Sequence, residues 1–101
     1  MRELDIPPEA LSYDDAIKFI RFWVAGGSDH VSLHVGAMGD QELHQWGMMI
    51  ADITVHVIRA LRQDGSIESD ERMRASIERG YIDRLKVKGV DYSGSLIVTK
   101  Q

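Results

Sequence analysis

The clearest pattern along the chain is His30-Val31-Ser32-Leu33-His34-Val35, where apolar and polar residues alternate without a break. A period of two sends Val31, Leu33 and Val35 to one side and His30, Ser32 and His34 to the other, the signature of a half-buried strand. Gly36 and Gly39 punctuate the turn that follows. Beyond the turn the period changes. Leu43, Trp46, Ile50, Ile53, Val57 and Leu61 recur at three- and four-residue spacing, a stripe that predicts a long amphipathic helix. Asp40 is placed to cap it, Glu42 adds negative charge to its first turn, and Asp64-Gly65 closes it. Gly47 interrupts this helix at a cost of about 1 kcal/mol against alanine, which implies close approach of another backbone, with the first helix as the candidate.

The remaining stretches are less regular. Residues 3–6 read as a short extended segment that Pro7-Pro8 ends. A first helix is expected from about Tyr13 to Ala25, with Ser12 as N-cap and Asp14 and Asp15 in the first turn. Its apolar residues, Ala16, Ile17, Phe19, Ile20, Phe22, Trp23 and Val24, are too dense for a single stripe, and Gly26-Gly27 are placed to end it. A third helix is expected from about Asp70 to Leu85, capped by Ser69, with a thin stripe of Met73, Ile77, Tyr81 and Ile82 or Leu85. The β-branched run Ser95-Leu96-Ile97-Val98-Thr99 predicts a short C-terminal strand. Lys86-Val87-Lys88 also alternates, so a loose hairpin through Asp91-Tyr92-Ser93-Gly94 is a further expectation. The preferred partner of His30–Val35 is the tail strand, with pairing across a two-fold axis as the alternative.

These elements predict one α+β domain over residues 1–101. A small two- to three-stranded, mainly antiparallel sheet packs against two main helices, while a third amphipathic helix covers an end or edge and a short strand closes the chain. So thin a sheet leaves an edge that templates association, and a homodimer resolves it.

Composition narrows the function classes. At 101 residues with 44% hydrophobic content the chain has the size and apolar share of one folded domain. A chain of this mass can bury roughly 60–68% of the surface it exposes when unfolded. The absence of cysteine excludes disulfides, thiolate metal sites and cysteine nucleophiles. No segment is apolar enough to span a membrane, and the charged start Met1-Arg2-Glu3-Leu4-Asp5 lacks the apolar core of a signal peptide, so a cytoplasmic protein is expected. The net charge of −4 argues against nucleic acid or an anionic membrane as partner. The charge is uneven, −6 over residues 1–58 and +2 over residues 59–88.

Four histidines, His30, His34, His44 and His56, are the acid–base material near neutral pH. His30 and His34 share a strand face but lie roughly 13 Å apart at ~3.3 Å per residue, too far to chelate one ion. Asp52 and His56 stand at i and i+4 on one helix face, and a carboxylate that orients an imidazole recurs in catalytic and metal sites. They are the candidate catalytic pair. Ser32 and Thr54 are available hydroxyls, but no nucleophile-elbow motif is present. No His-Glu-x-x-His motif occurs, which leaves His34, His44 and His56 as weak metal candidates. Gly36-Ala37-Met38-Gly39 resembles a phosphate loop faintly, and Asp40 puts negative charge where an anion would bind. Trp23, Trp46, Met48 and Met49 read as core rather than as a ligand cavity. No cofactor is implied.

Leu4-Asp5-Ile6-Pro7-Pro8-Glu9-Ala10-Leu11, Trp23-Val24-Ala25-Gly26-Gly27, His30-Val31-Ser32-Leu33, and Trp46-Gly47-Met48-Met49-Ile50-Ala51-Asp52-Ile53 with His56-Val57 resemble a family of bacterial proteins of unknown function, about 100 residues long and chiefly alphaproteobacterial. The resemblance spans most of residues 1–60 and loosens after Tyr81. It implies a free-standing cytoplasmic domain and includes Asp52 and His56 in its pattern, but it assigns no activity. The expected function is therefore a homodimeric interaction or regulatory module without catalytic activity, with a protein partner. The alternative is a small enzyme or a ligand- or metal-binding protein using Asp52 and His56.

Overall fold

Residues 20–35 decide the architecture, and they fold as a hairpin although the first of them were expected to be helical. The computed structural model describes residues 3–88 and 94–100. Its first helix, α1, is one turn, Pro8–Leu11, with Pro8 at a position where its fixed φ and missing N–H cost nothing. Ser12 ends this turn instead of starting a longer one, its Oγ–H donating to the Glu9 carbonyl at 2.7 Å. The helix expected over Tyr13–Ala25 is absent; strand β1, Ile20–Ala25, takes its second half. The physical reason lies in composition and in the turn. Isoleucine, phenylalanine, tryptophan and valine favour a pleated surface. Gly26-Gly27 separate two such runs by two residues, and both carry the positive φ, 60° and 76°, that a type I′ hairpin turn requires.

Strand β2, Ser28–Val35, runs back antiparallel to β1, pairing Ile20 with Leu33 and Ala25 with Ser28. A 3-10 turn, Gly39–Gln41, leads into α2, Glu42–Gln63, and α3 follows as Asp70–Lys88. Asp40 therefore lies inside the 3-10 turn, and Gln41 occupies the cap position of α2 without a side-chain bond. Ser69 does cap α3, its Oγ accepting the Arg72 N–H at 3.3 Å. Across the α2–α3 turn Arg62 donates to the Asp70 carboxylate and, at 3.1 Å, to the Glu68 carbonyl.

Strand β3, Gly94–Lys100, pairs with β2 from Asp29↔Gly94 to Val35↔Lys100. The tail strand thus lies where the β-branched run suggested, on the open side of β2. It runs parallel, so the three-stranded sheet, ordered β1-β2-β3, is mixed. Parallel pairing follows from the route: the chain leaves the end of β2, travels out and back through two helices, and re-enters at the start. Lys86-Val87-Lys88 close α3 instead of forming a hairpin arm. The expected turn at Asp91-Tyr92-Ser93 lies outside the described residues. Gly94 permits the entry, since a Cβ there would overlap the Asp29 carbonyl.

The α+β class, the sheet, both long helices and the closing strand are present. Sheet and helices stand apart, however: strands contact strands, α2 contacts α3, and neither long helix lies across the sheet. Among the described residues Met73, at the base of the helical hairpin, is the one buried apolar side chain. The radius of gyration is 15.5 Å, against about 13 Å for a compact chain of this length. The accessible surface is 8764 Å², whereas roughly 5,800 Å² suffices for a compact monomer of this mass.

Candidate functional site

Cross-strand partners share a face, so the register sorts the sheet residues into two sets. One face carries Ile20, Phe22 and Val24 from β1, Val31, Leu33 and Val35 from β2, and Leu96 and Val98 from β3, with Asp29 and Lys100 at its two ends. The other carries Arg21 and Trp23, then His30, Ser32 and His34, then Ser95, Ile97 and Thr99. Exposure runs against ordinary expectation. Phe22 is 57%, Val24 70% and Leu96 61% exposed, while Arg21 and Trp23 are half-buried.

The histidine face is held together from within the chain. The Arg21 guanidinium stacks 4.9 Å over the Trp23 ring and pairs with Glu3 at 2.6 Å. The His30 ring is fixed at both nitrogens: Nε2–H donates to the Ala25 carbonyl at 3.0 Å, and Nδ1 accepts the Ser95 hydroxyl at 3.0 Å. This ties β3 to β2 and sets the tautomer, with the proton on Nε2. His30 and Ser95 bring a base and a hydroxyl within hydrogen-bond distance, and both side chains lie on an open sheet surface. Nothing in the sequence signalled the pair, because 65 residues separate the partners.

The same face receives the start of α2. The His34 amide donates to the Phe19 carbonyl at 2.9 Å, which places Phe19 beside His34. Phe19 meets the His34 ring edge-on at 6.0 Å and the Trp46 ring edge-on at 6.1 Å. Glu42 locks this junction. Its carboxylate accepts the Gly36 amide at 2.8 Å, the Met38 amide at 3.1 Å and the Trp46 Nε1–H at 3.2 Å. The Gly36 amide contributes most to holding the Glu42 carboxyl below the ordinary carboxylate range; Trp46, Met38 and the His34 imidazole act in the same direction, against a partial desolvation. Three donors from a loop and one helical turn converge on a single carboxylate, so the β2–α2 linker is a fixed joint. The sequence showed Glu42 only as an acid in a first turn. Gly36 and Gly39, six and three residues before Glu42, were the hint of a folded-back loop.

The pair singled out by sequence is not assembled. Asp52 and His56 are both exposed on α2, and no hydrogen bond joins them. The His56 Nδ1 instead faces the Arg59 guanidinium at 3.3 Å, from which it accepts. Two shallow clefts between α2 and α3, of about 240 and 230 Å³, are lined by other residues of the two helices, such as Ile58 and Arg74 in one and Leu61 and Met73 in the other. His34 lies in the joint and His44 is exposed on the first part of α2. Among the described residues no group of three or more histidine, aspartate or glutamate side chains is placed to hold a metal ion. Among them, too, no helix is long and apolar enough to cross a membrane.

A family model described as a domain of unknown function (DUF5076) matches residues 3–88. The chain belongs to this family. The match covers both strands of the hairpin, the Glu42 joint and both long helices, and it ends where α3 ends, before β3. The matched span takes in β1 and β2 and the positions of Asp52 and His56. No curated protein and no solved structure matches the chain.

Proposed function

We propose that this domain acts as a homodimeric interaction or regulatory module, working by association rather than by catalysis. The observation that carries the reading is the uncovered apolar face of the sheet. Ile20, Phe22, Val24, Leu96 and Val98 are each at least 40% exposed, a contiguous apolar patch of the kind that marks an association surface. The surplus of about 3,000 Å² over a compact monomer is ample for an obligate interface, which removes roughly 2,000–5,000 Å² in total. A second copy is the natural occupant, since each copy brings the same unmet surface. The alternative, a small enzyme or ligand-binding protein built on Asp52 and His56, draws no support from two exposed side chains that do not meet.

Size-exclusion chromatography with light scattering tests the reading. The expected mass at micromolar concentration is twice the 11.4 kDa of the chain. A monodisperse species of the single-chain mass, with no binding of an apolar dye, would sink it.

A further inference from the structure

We propose that in the dimer the α2 helix of each protomer lies across the apolar sheet face of the other, in a reciprocal exchange. This rests on the dimer reading above and adds which surface meets which.

Three observations lead to it. The first is that the chain's own α2 is held on the wrong side. Trp46 in its second turn meets Phe19, which lies beside His34 at the edge of the histidine face, and Glu42 fixes the linker by accepting from Gly36 and Met38. A helix fixed there does not fold over Val31, Leu33 and Val35 on the opposite face. The second is that α2 has a matching unmet surface. Of its stripe, Leu43, Ile50, Ile53 and Val57 are each between 41% and 88% exposed, while Trp46 meets Phe19 and Leu61 borders α3. No charged residue interrupts the stripe, and on the sheet face the two charged residues, Asp29 opposite Val24 and Lys100 opposite Val35, stand at the ends of the eight apolar positions. The lengths also agree: 22 helical residues span about 33 Å, and the eight residues of β2 span about 26 Å. The third is Gly47, which neighbours Leu43 and Ile50 on the helix surface and has nothing within 4 Å of where a Cβ would stand. Its cost in a helix is uncompensated within the chain and is explained by close approach of a partner's backbone.

A two-fold axis makes the exchange self-consistent, because sheet-to-helix on one side is repeated as helix-to-sheet on the other. Face-to-face pairing of the two sheets covers one apolar surface and leaves both α2 stripes bare. The reciprocal contact covers both at once, and it restores the helix-on-sheet layering that stable α+β domains use.

The chain has no cysteine, so single introduced thiols report cleanly. The experiment uses Phe22→Cys on the sheet face and Ile53→Cys on the α2 stripe, each as full-length protein, treated with a short bismaleimide alone and as a refolded 1:1 mixture. Light scattering is run on every sample, and Val24→Cys replaces Phe22→Cys if that change alters the mass. The expected result is dimers throughout, with cross-linked product in the mixture at least tenfold above either variant alone. Dimers in which one variant alone links most efficiently, or in which no sample links, overturn the exchange while leaving the dimer reading intact. Single-chain mass for the unmodified protein overturns the dimer reading itself.

Discussion

On the histidine face of the sheet, Arg21, Trp23, His30 and His34 find neighbours within the chain, in Glu3, Ser95, the Ala25 carbonyl and Phe19. On the opposite face Phe22, Val24 and Leu96 stand open. The polar side has the partners and the apolar side lacks them, which reverses the usual arrangement of a half-buried sheet. The difference reflects how each kind of need is met. A hydrogen bond is satisfied by one well-placed atom, and a short loop or a neighbouring strand supplies it. An apolar face needs an opposing surface of comparable area, and α2, which carries an apolar stripe, is anchored on the other side. An apolar requirement that the fold directs away from its own helix is met by another molecule.

The sharpest way to break the comparison is to charge each face in turn. Leu33→Asp puts an unpaired carboxylate into the covered apolar layer and is expected to raise the dimer Kd at least a hundredfold, about 3 kcal/mol. Ser32→Asp, one residue away on the histidine face, is expected to change it less than about threefold. Sedimentation equilibrium on both variants decides, and equal effects would mean that the two faces are not distinct.

A smaller effect is expected from the hairpin that creates both faces. Gly27 has a φ of 76°, and Gly27→Val forces a β-branched side chain into the left-handed region at roughly 1–2 kcal/mol. Thermal unfolding should show the loss, and an unchanged midpoint would argue against the hairpin turn.

Glu42 sharpens the comparison from the joint. Its carboxyl is held below the ordinary range by amides that bond the charged form. The stability it contributes is therefore present above the ordinary carboxylate range and is lost as pH falls through the lowered folded value. Acidification should release the joint, seen as loss of protection of the Gly36 and Met38 amides relative to their intrinsic exchange rates and a shift in Trp46 fluorescence. Glu42→Gln should show the released behaviour already at neutral pH. Exchange rates that ignore both changes would contradict the joint.

The smallest effect is expected at the residues that sequence favoured. Asp52→Asn and His56→Gln alter exposed positions whose side chains do not meet, and each should stay within about 0.5 kcal/mol in stability and leave the dimer mass unchanged.

Legibility from sequence followed how local the deciding physics was. The strand from His30 to Val35 and the stripe from Leu43 to Leu61 announced themselves because period and punctuation agreed. Ser69 and Asp64-Gly65 marked their helix ends for the same reason. Residues 16–25 misled because a dense apolar run carries no clear period. The deciding signal was the two-residue spacing of Gly26-Gly27, which fits a hairpin better than a helix end. The tail strand was legible as a partner of β2 but not in direction, since direction depends on the route through two helices. Glu42's part was hidden because it requires the loop amides of Gly36 and Met38 to turn toward one carboxylate. The i, i+4 spacing of Asp52 and His56 guaranteed proximity but not contact, and Arg59, one turn on, competes for the ring.

The most direct test of the central claim is an isotope-filtered NOE experiment on dimer refolded from one labelled and one unlabelled population. Cross-chain contacts are expected between the methyls of Val31, Leu33 or Val35 and those of Ile50, Ile53 or Val57. If those methyls instead contact α2 of their own chain, or if no cross-chain contact involves the apolar sheet face, the account is contradicted.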